Sequence, residues 1–441
     1  MRSLRLIAPL LLSASFSLAA PPAGEAPLSL SVQQSIELAV KNNVAARIAK
    51  ANGAASRGRS LQAASTLLPR LLGSVSQTRV FRENLVALGL PPDGPFPPLL
   101  GPFNVFDARI QLVQEVFDLS AALRLKAAGA EERSAALQER LADEQVAAAA
   151  ALAYVELLRA RKAISASQSD EELAASLLQL AQDKQAAGTA AGIDVARAKT
   201  REAEHKLQLL EARTMAEEAE LRFKRIIVMP FGRPVALQDN LTFTPLEAPK
   251  TEDTVQAALR DRLELKISQE HLLSASSDWR AAQTERLPSV SLAGDVGIIG
   301  NQPDSGARTT GSAGVALKVP LFSGRSIEGR VQEASGARGA AEAQLDDMRT
   351  GVEEDARLAL TELSSAIERV STAEEALRLA ENELDMARDR FTAGVADNVE
   401  LLNAQTALSH ARDTQVGALA RYHAARVNLS MALGKMTDFR F

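Results

Sequence analysis

Four histidines, His205, His271, His410 and His423, are the first residues to test for chemistry, because imidazole can ligate a metal or carry a proton near neutral pH. All four fall in stretches with helical periodicity, and none sits beside a second ligand type at metal-binding spacing. His410 and His423 are spaced to share a helical face and read as a solvated or packed pair. Cysteine is absent, which removes disulfides, thiolate metal sites, thiol nucleophiles and an acylated N-terminal cysteine. Glycine-rich phosphate-binding patterns are missing. Ser323-Gly324 reads as a helix start rather than a nucleophile, and Glu353-Glu354-Asp355 as a solvated helix face with offset arginines. No catalytic residue, cofactor site or metal site is therefore expected. What remains is charge beside two glycines. Gly188 and Gly394 end long helical stretches, where a left-handed cap favours glycine. Asp194 and Glu400 follow at the start of the returning helices, where the helix dipole favours a carboxylate.

The two turns are copies of one another. Gly188-x4-Ile193-Asp194-Val195-x2-Ala198-x-Thr200 lies on Gly394-x4-Val399-Glu400-Leu401-x2-Ala404-x-Thr406. Upstream, Ser35 to Leu71 aligns without a gap on Thr254 to Val290, so that Ile36 meets Val255 and Leu68-Pro69 meets Leu287-Pro288. A duplicated chain uses one structural unit twice, which points to a pseudo-symmetric assembly rather than one asymmetric pocket. The halves span 28–229 and 254–434, joined by a Pro- and Phe-containing segment at 230–253 and followed by a tail at 435–441. Residues 1–19 read as an export signal: Arg2 and Arg5, an apolar core from Leu6, then Ser17-Leu18-Ala19 as the cleavage site. A net charge of −5 with no basic, aromatic-interleaved patch argues against nucleic acid.

Each half has the same order: helix, strand, loop, strand, very long helix, glycine turn, long helix. Leu119 to Ala186 contains no proline and would span about 100 Å as a helix. Ala356, Ala359, Leu363, Ala366, Val370, Ala373, Leu377, Ala380, Leu384, Ala387 and Phe391 alternate spacings of three and four, a heptad seam of large and small residues. Leu401, Ala404, Leu408, Ala411, Gln415, Ala418, Tyr422, Ala425 and Leu429 continue it across the turn. Strands are expected at about 70–82, 106–117, 288–299 and 312–322, the best of them alternating Val290, Leu292, Val296 and Ile298 with small or polar residues. The loop at 83–105, with six prolines, is expected to be exposed. After the leader no apolar run reaches the roughly 18 residues of a membrane-spanning helix. Four strands of this length suit a bilayer crossing but cannot close a barrel, and open sheet edges are intolerable in lipid. Several copies must then each donate four strands. A soluble sheet gives the same alternation, so a periplasmic coiled-coil adaptor or structural protein is the alternative.

The chain resembles the TolC-type outer-membrane factor family. The marks are Leu28-Ser29-Leu30 ahead of Ile36-x2-Ala39, Leu-Pro before the first strand of each half, and Val116-Phe117-Asp118 and Leu321-Phe322-Ser323-Gly324 where strand gives way to helix. Phe391-Thr392-Ala393-Gly394 and Asn398-Val399-Glu400-Leu401-Leu402-Asn403-Ala404-Gln405 complete them. The resemblance implies a mainly α fold with β: a homotrimer with a twelve-stranded β-barrel, four strands per chain, continuous with a long α-helical barrel. It implies an exit duct of a tripartite efflux pump or type I secretion system in the outer membrane of a Gram-negative bacterium. Its partners would be outer-membrane lipid, a periplasmic adaptor and an inner-membrane transporter. It places Glu400 on an inner acidic ring, with Asn403 at the next, normally acidic, position; Asp194 is the first-half counterpart, with Arg197 one turn beyond. Gly188, Gly394, Phe391 and Ala396 would shape the tips that dock the adaptor. Phe391 lacks a phenolic hydroxyl and Ala396 a donor, so the resemblance implies a closed tip held more by packing than by polar links.

Overall fold

The computed structural model describes residues 27–441 apart from 88, 90, 92, 246–248 and 304–305, so the expected leader at 1–19 lies outside the described residues. The first half runs β1 (Leu28–Leu30), α1 (Val32–Asn42), α2 (Val44–Ser65), β2 (Arg70–Val80), β3 (Glu83–Asn84), β4 (Leu99–Leu100), β5 (Phe103–Phe117), α3 (Leu119–Ala186) and α4 (Gly192–Ile226). β6 (Val235–Leu237) follows, and the second half repeats the plan: α5 (Thr251–Asp261), α6 (Leu263–Thr284), β7 (Ser289–Gly300), β8 (Arg308–Lys318), α7 (Ser326–Thr392) and α8 (Asn398–Ala432).

The helix expected to open each half is broken into two, at the same place in both copies. Asn43 and Arg262 turn to extended backbone (ψ 142° and 127°), while their N–H groups still bond Ala39 and Ala258. Asn43 also caps the next helix through Ala45 N–H at 2.8 Å. The final strand is displaced from 312–322 to 308–318, leaving Val319 and Leu321 outside it. Pairing with β7 decides this: Ser289 opposes Lys318, and the flanking Pro288 and Pro320 lack the N–H needed to extend the ladder. Nor does α7 start at Ser323; Gly324 (φ 60°) and Arg325 (φ 66°) are both left-handed, and the helix begins at Ser326.

Four strands form one antiparallel sheet in the order β2-β5-β7-β8. Cross-strand register sorts its residues into two faces. Leu71, Leu112, Gly294 and Ala313 share one row, Gly73, Ile110, Val296 and Gly311 the next, and Val75, Ala108, Ile298 and Thr309 a third. The opposite face carries Asp107, Arg109, Gln111, Asp295, Thr310 and Ser312. Arg109 pairs with Asp107 at 2.5 Å and with Asp295 at 3.5 Å. Val75 is 75% and Val315 73% exposed, so the apolar face has no cover within the chain, and β2 and β8 are open edges.

Beneath the sheet, α3 and α7 run through two layers. Nearer the strands, α3 packs between α2 and α6, and α6 packs on α7; farther away the order is α4-α3-α8-α7. All but Leu377 of the eleven α7 seam residues are buried, which bears out the heptad reading. Helices at the ends of the row are only half covered. Ile193, Leu207 and Leu221 on α4, and Leu358, Leu379 and Met386 on α7, are exposed at multiples of seven residues.

The connecting segment, read from sequence as a linker or equatorial segment, contributes a strand. β6 pairs in parallel with β1. Both tyrosines of the chain fasten this segment. The Tyr154 hydroxyl lies 2.9 Å from the Leu30 carbonyl and from Asp239 Oδ2, and Tyr422 donates to the Thr244 carbonyl at 2.5 Å. His423 is 2% exposed, lies 3.0 Å from the Thr242 carbonyl through Nε2, and stacks on Phe441 at 4.4 Å. Burial, then Arg426, lowers its pKa from 6.5 to about 4. On acidification the unfolded chain binds this proton first. Stability held above pH 6.5 is therefore lost as pH falls toward 4, by at most about 3 kcal/mol. Unfolding midpoints at pH 7.5 and 4.5 should differ less in His423→Gln than in the wild type; equal differences would show that this ring does not set the acid sensitivity.

Candidate functional site

The hairpin turns lie at the ends of α3–α4 and α7–α8 remote from the sheet. Both are built alike, as the repeat requires. Gly188 (φ 74°) and Gly394 (φ 73°) occupy the left-handed region. Thr189 N–H bonds the Lys184 carbonyl at 2.9 Å, and Val395 N–H the Arg390 carbonyl at 3.0 Å, so the last turn of each incoming helix is closed in the same way. Each returning helix is capped by a carboxylate. Asp194 Oδ2 accepts from Ala191 N–H at 3.1 Å, and Asp397 Oδ1 accepts from Val399 and Glu400 N–H, both at 3.1 Å.

The two turns are bonded to each other. Lys184 Nζ, in the last turn of α3, donates to the Phe391 carbonyl at 2.5 Å and the Thr392 carbonyl at 3.3 Å, and lies 4.5 Å from the Phe391 ring centroid. It thus satisfies two end carbonyls of α7, where the helix dipole favours a cation. From the other side, Asn398 Nδ2 donates to the Asp194 carbonyl at 3.0 Å, and Asn398 is buried. Beneath these bonds Leu177, Leu384, Ala387, Phe391, Leu401 and Ala404 form a small apolar core. Beside this apolar core the single chain holds two polar links between its hairpins, from Lys184 to the Phe391 and Thr392 carbonyls and from Asn398 to the Asp194 carbonyl, and neither uses the side chain of Phe391 or Ala396 as a hydrogen-bonding group.

Among the sequence-selected residues, Asp194 and Arg197 approach to 3.8 Å, Asn403 is exposed one turn beyond Glu400, and Ala396 is half-buried in the turn. Glu400 does not stand as an unopposed charge: Arg390 Nε donates to its Oε1 at 2.8 Å. Lys184 and Arg390 were missed by the sequence reading, and Asn398 entered it only as part of a family mark, without a role. For the two cations the only signal was their place in the last turn of α3 and of α7, which the dipole explains without any partner.

Elsewhere, Ser134 Oγ is 3.2 Å from His271 Nε2, whose Nδ1 is 3.3 Å from Glu131 Oε1. This relay has hydrolase order, yet Ser134 is 0% exposed inside α3, where neighbouring N–H groups are engaged in the helix. His205 and His410 line one groove between α3, α4 and α8. Among the described residues no group of three His, Asp or Glu could hold a metal, and no helix is long and apolar enough to cross a membrane.

Residues 254–435 match the family described as "Outer membrane efflux protein". Outer membrane protein TolC of Escherichia coli K12 is 23% identical over 354 residues, covering 76% of this chain and 70% of the relative. Protein CyaE of Bordetella pertussis is 27% identical over 344 residues, covering 74% and 70%. The crystal structure of the outer membrane protein VceC from Vibrio cholerae superposes with a TM-score of 0.79 at 20% identity, covering 91% of this chain and 96% of that one, which establishes the fold.

Proposed function

Because the chain belongs to the outer membrane efflux protein family, we propose that it is the outer-membrane exit duct of a tripartite efflux pump or type I secretion system. The observation that carries this is the four-stranded sheet with two open edges and an uncovered apolar face. In water such a sheet would aggregate, and in lipid its edges would be intolerable. Since β2 and β8 run in opposite directions, β8 of one copy meets β2 of the next antiparallel, and three copies close twelve strands. The apolar face then meets lipid and the Asp107–Arg109–Asp295 face meets water. The α7 stripe of Leu358, Leu379 and Met386 meets the α4 stripe of Ile193, Leu207 and Leu221 on the neighbouring copy, closing the helices into a second ring. A periplasmic coiled-coil adaptor would have no use for the apolar sheet face.

The trimer extends from the outer membrane into the periplasm, where an adaptor and an inner-membrane transporter engage it. The duct has no enzymatic activity; the Ser134 relay lacks access and oxyanion donors. Glu400, Asn403, Asp194 and Arg197 line the inner constriction, and Gly188, Gly394, Phe391 and Ala396 shape the tips on which the adaptor docks. Outer-membrane extracts should show an oligomer that dissociates on boiling, and purified trimer should form ion-conducting pores in planar bilayers. A monomeric periplasmic protein without conductance would end this reading.

Lys184 gives a second test. Charge-assisted hydrogen bonds contribute about 1.5–3 kcal/mol, so Lys184→Met, which removes both bonds to α7, should raise the open fraction roughly tenfold in single-channel recordings. An unchanged open fraction removes Lys184 from the closing device.

A further inference from the structure

The arms of the Gly394 turn carry opposite charges, Arg390 in the last turn of α7 and Glu400 in the first turn of α8. Several bonds hold them face to face. Val395 and Ala396 N–H donate to the Arg390 carbonyl at 3.0 and 3.3 Å, and Asp397 caps the backbone at Glu400 at 3.1 Å. The side chains meet at 2.8 Å with 56% and 43% of their surface exposed. An exposed pair contributes little stability, about 0–1 kcal/mol. Its electrostatic effect is larger. A lone carboxylate acts on a passing ion over a Debye length of about 8 Å, whereas a carboxylate beside a guanidinium acts as a dipole whose field decays much faster. Two of the other tip carboxylates are also engaged: Asp194 faces Arg197 at 3.8 Å and caps α4, and Asp397 caps α8. Asn403, one turn further along α8, is uncharged.

We propose that Arg390 determines the ion selectivity of the inner mouth by neutralising Glu400, so that the mouth conducts with little cation preference and little divalent block. This rests on the reading that the tips line the mouth. It requires Arg390 and Glu400 to act as a pair: removing either alone exposes the charge of the other, with opposite sign.

The test uses full-length trimer in planar bilayers under a KCl gradient, reading reversal potential and the Mg2+ concentration for half block. Assembly of every variant is checked by heat-modifiable migration. Arg390→Gln should shift the reversal potential toward cation selectivity and lower the half-blocking Mg2+ concentration roughly tenfold, as three unmasked carboxylates around one axis would. Glu400→Gln should shift selectivity toward anions, and the double substitution should restore the wild-type values. A purely structural brace would change none of these without changing assembly. If Glu400→Gln loses a cation preference already present in the wild type while Arg390→Gln changes nothing, the neutralising role is overturned and the mouth reading stands. If all the variants conduct with identical selectivity, the tips do not line the mouth, and both fall.

Discussion

Ile110→Arg is expected to abolish the heat-modifiable oligomer, while Gln111→Arg, one residue away, leaves it intact. Ile110 sits near the middle of β5, between Gly73 and Val296 on the apolar face, and is exposed. Gln111 lies between Leu72 and Asp295 on the polar face. An arginine at the bilayer midplane costs about 2–4 kcal/mol per chain, roughly 6–12 kcal/mol for three copies, whereas a lumenal arginine costs little. Boiled and unboiled outer-membrane fractions compared on gels give the result directly. Because strand side chains alternate with a period of two, equal assembly of both variants would mean that neither face meets lipid, and the barrel reading would fail.

The second large effect lies between the two hairpins. Asp170 on α3 is 5% exposed and accepts from Arg412 Nη1 on α8 at 2.5 Å. Arg412→Leu leaves that carboxylate without its ion-pair partner and should destabilise the helical region by about 3–5 kcal/mol. Replacing both residues by leucine should recover most of the loss, since apolar residues of similar volume are often neutral or better at such sites. Thermal unfolding followed by circular dichroism in detergent distinguishes these outcomes. A single variant as stable as the wild type would show that Arg412 is dispensable and that water reaches Asp170.

The heptad seam of α7 was legible because a periodicity of three and four survives any detail of packing, and its burial follows from the pattern alone. On α3 of the first half the same spacing is only partly kept, in Ala153, Leu157, Ala160 and Ile164 and again in Ala174, Leu178 and Ala181, and it was legible only in part: Leu157, Ala160, Ala174 and Ala181 are buried, while Ala153, Ile164 and Leu178 are half-covered. The breaks at Asn43 and Arg262 carry no proline or glycine and left no mark in the composition. β6 is three residues long and is made a strand by its partner β1, so no local pattern could announce it. At the tips, glycine and carboxylate positions were readable because they answer to local backbone demands: a left-handed cap and unpaired N–H groups.

By itself the sequence determined the duplication, the length of the helices, the two-faced strands and the places where the chain must turn. These follow from periodicity and local geometry, which act over one or two turns. The tertiary structure alone decided which charges meet. Lys184 reaches carbonyls 207 residues away, Asp170 an arginine 242 residues away, and Arg390 folds across a turn to Glu400. The reason is physical: a charged side chain is tolerated at many surface positions, so its type says little about its partner. Only the packing of the two hairpins brings particular donors and acceptors within hydrogen-bond distance.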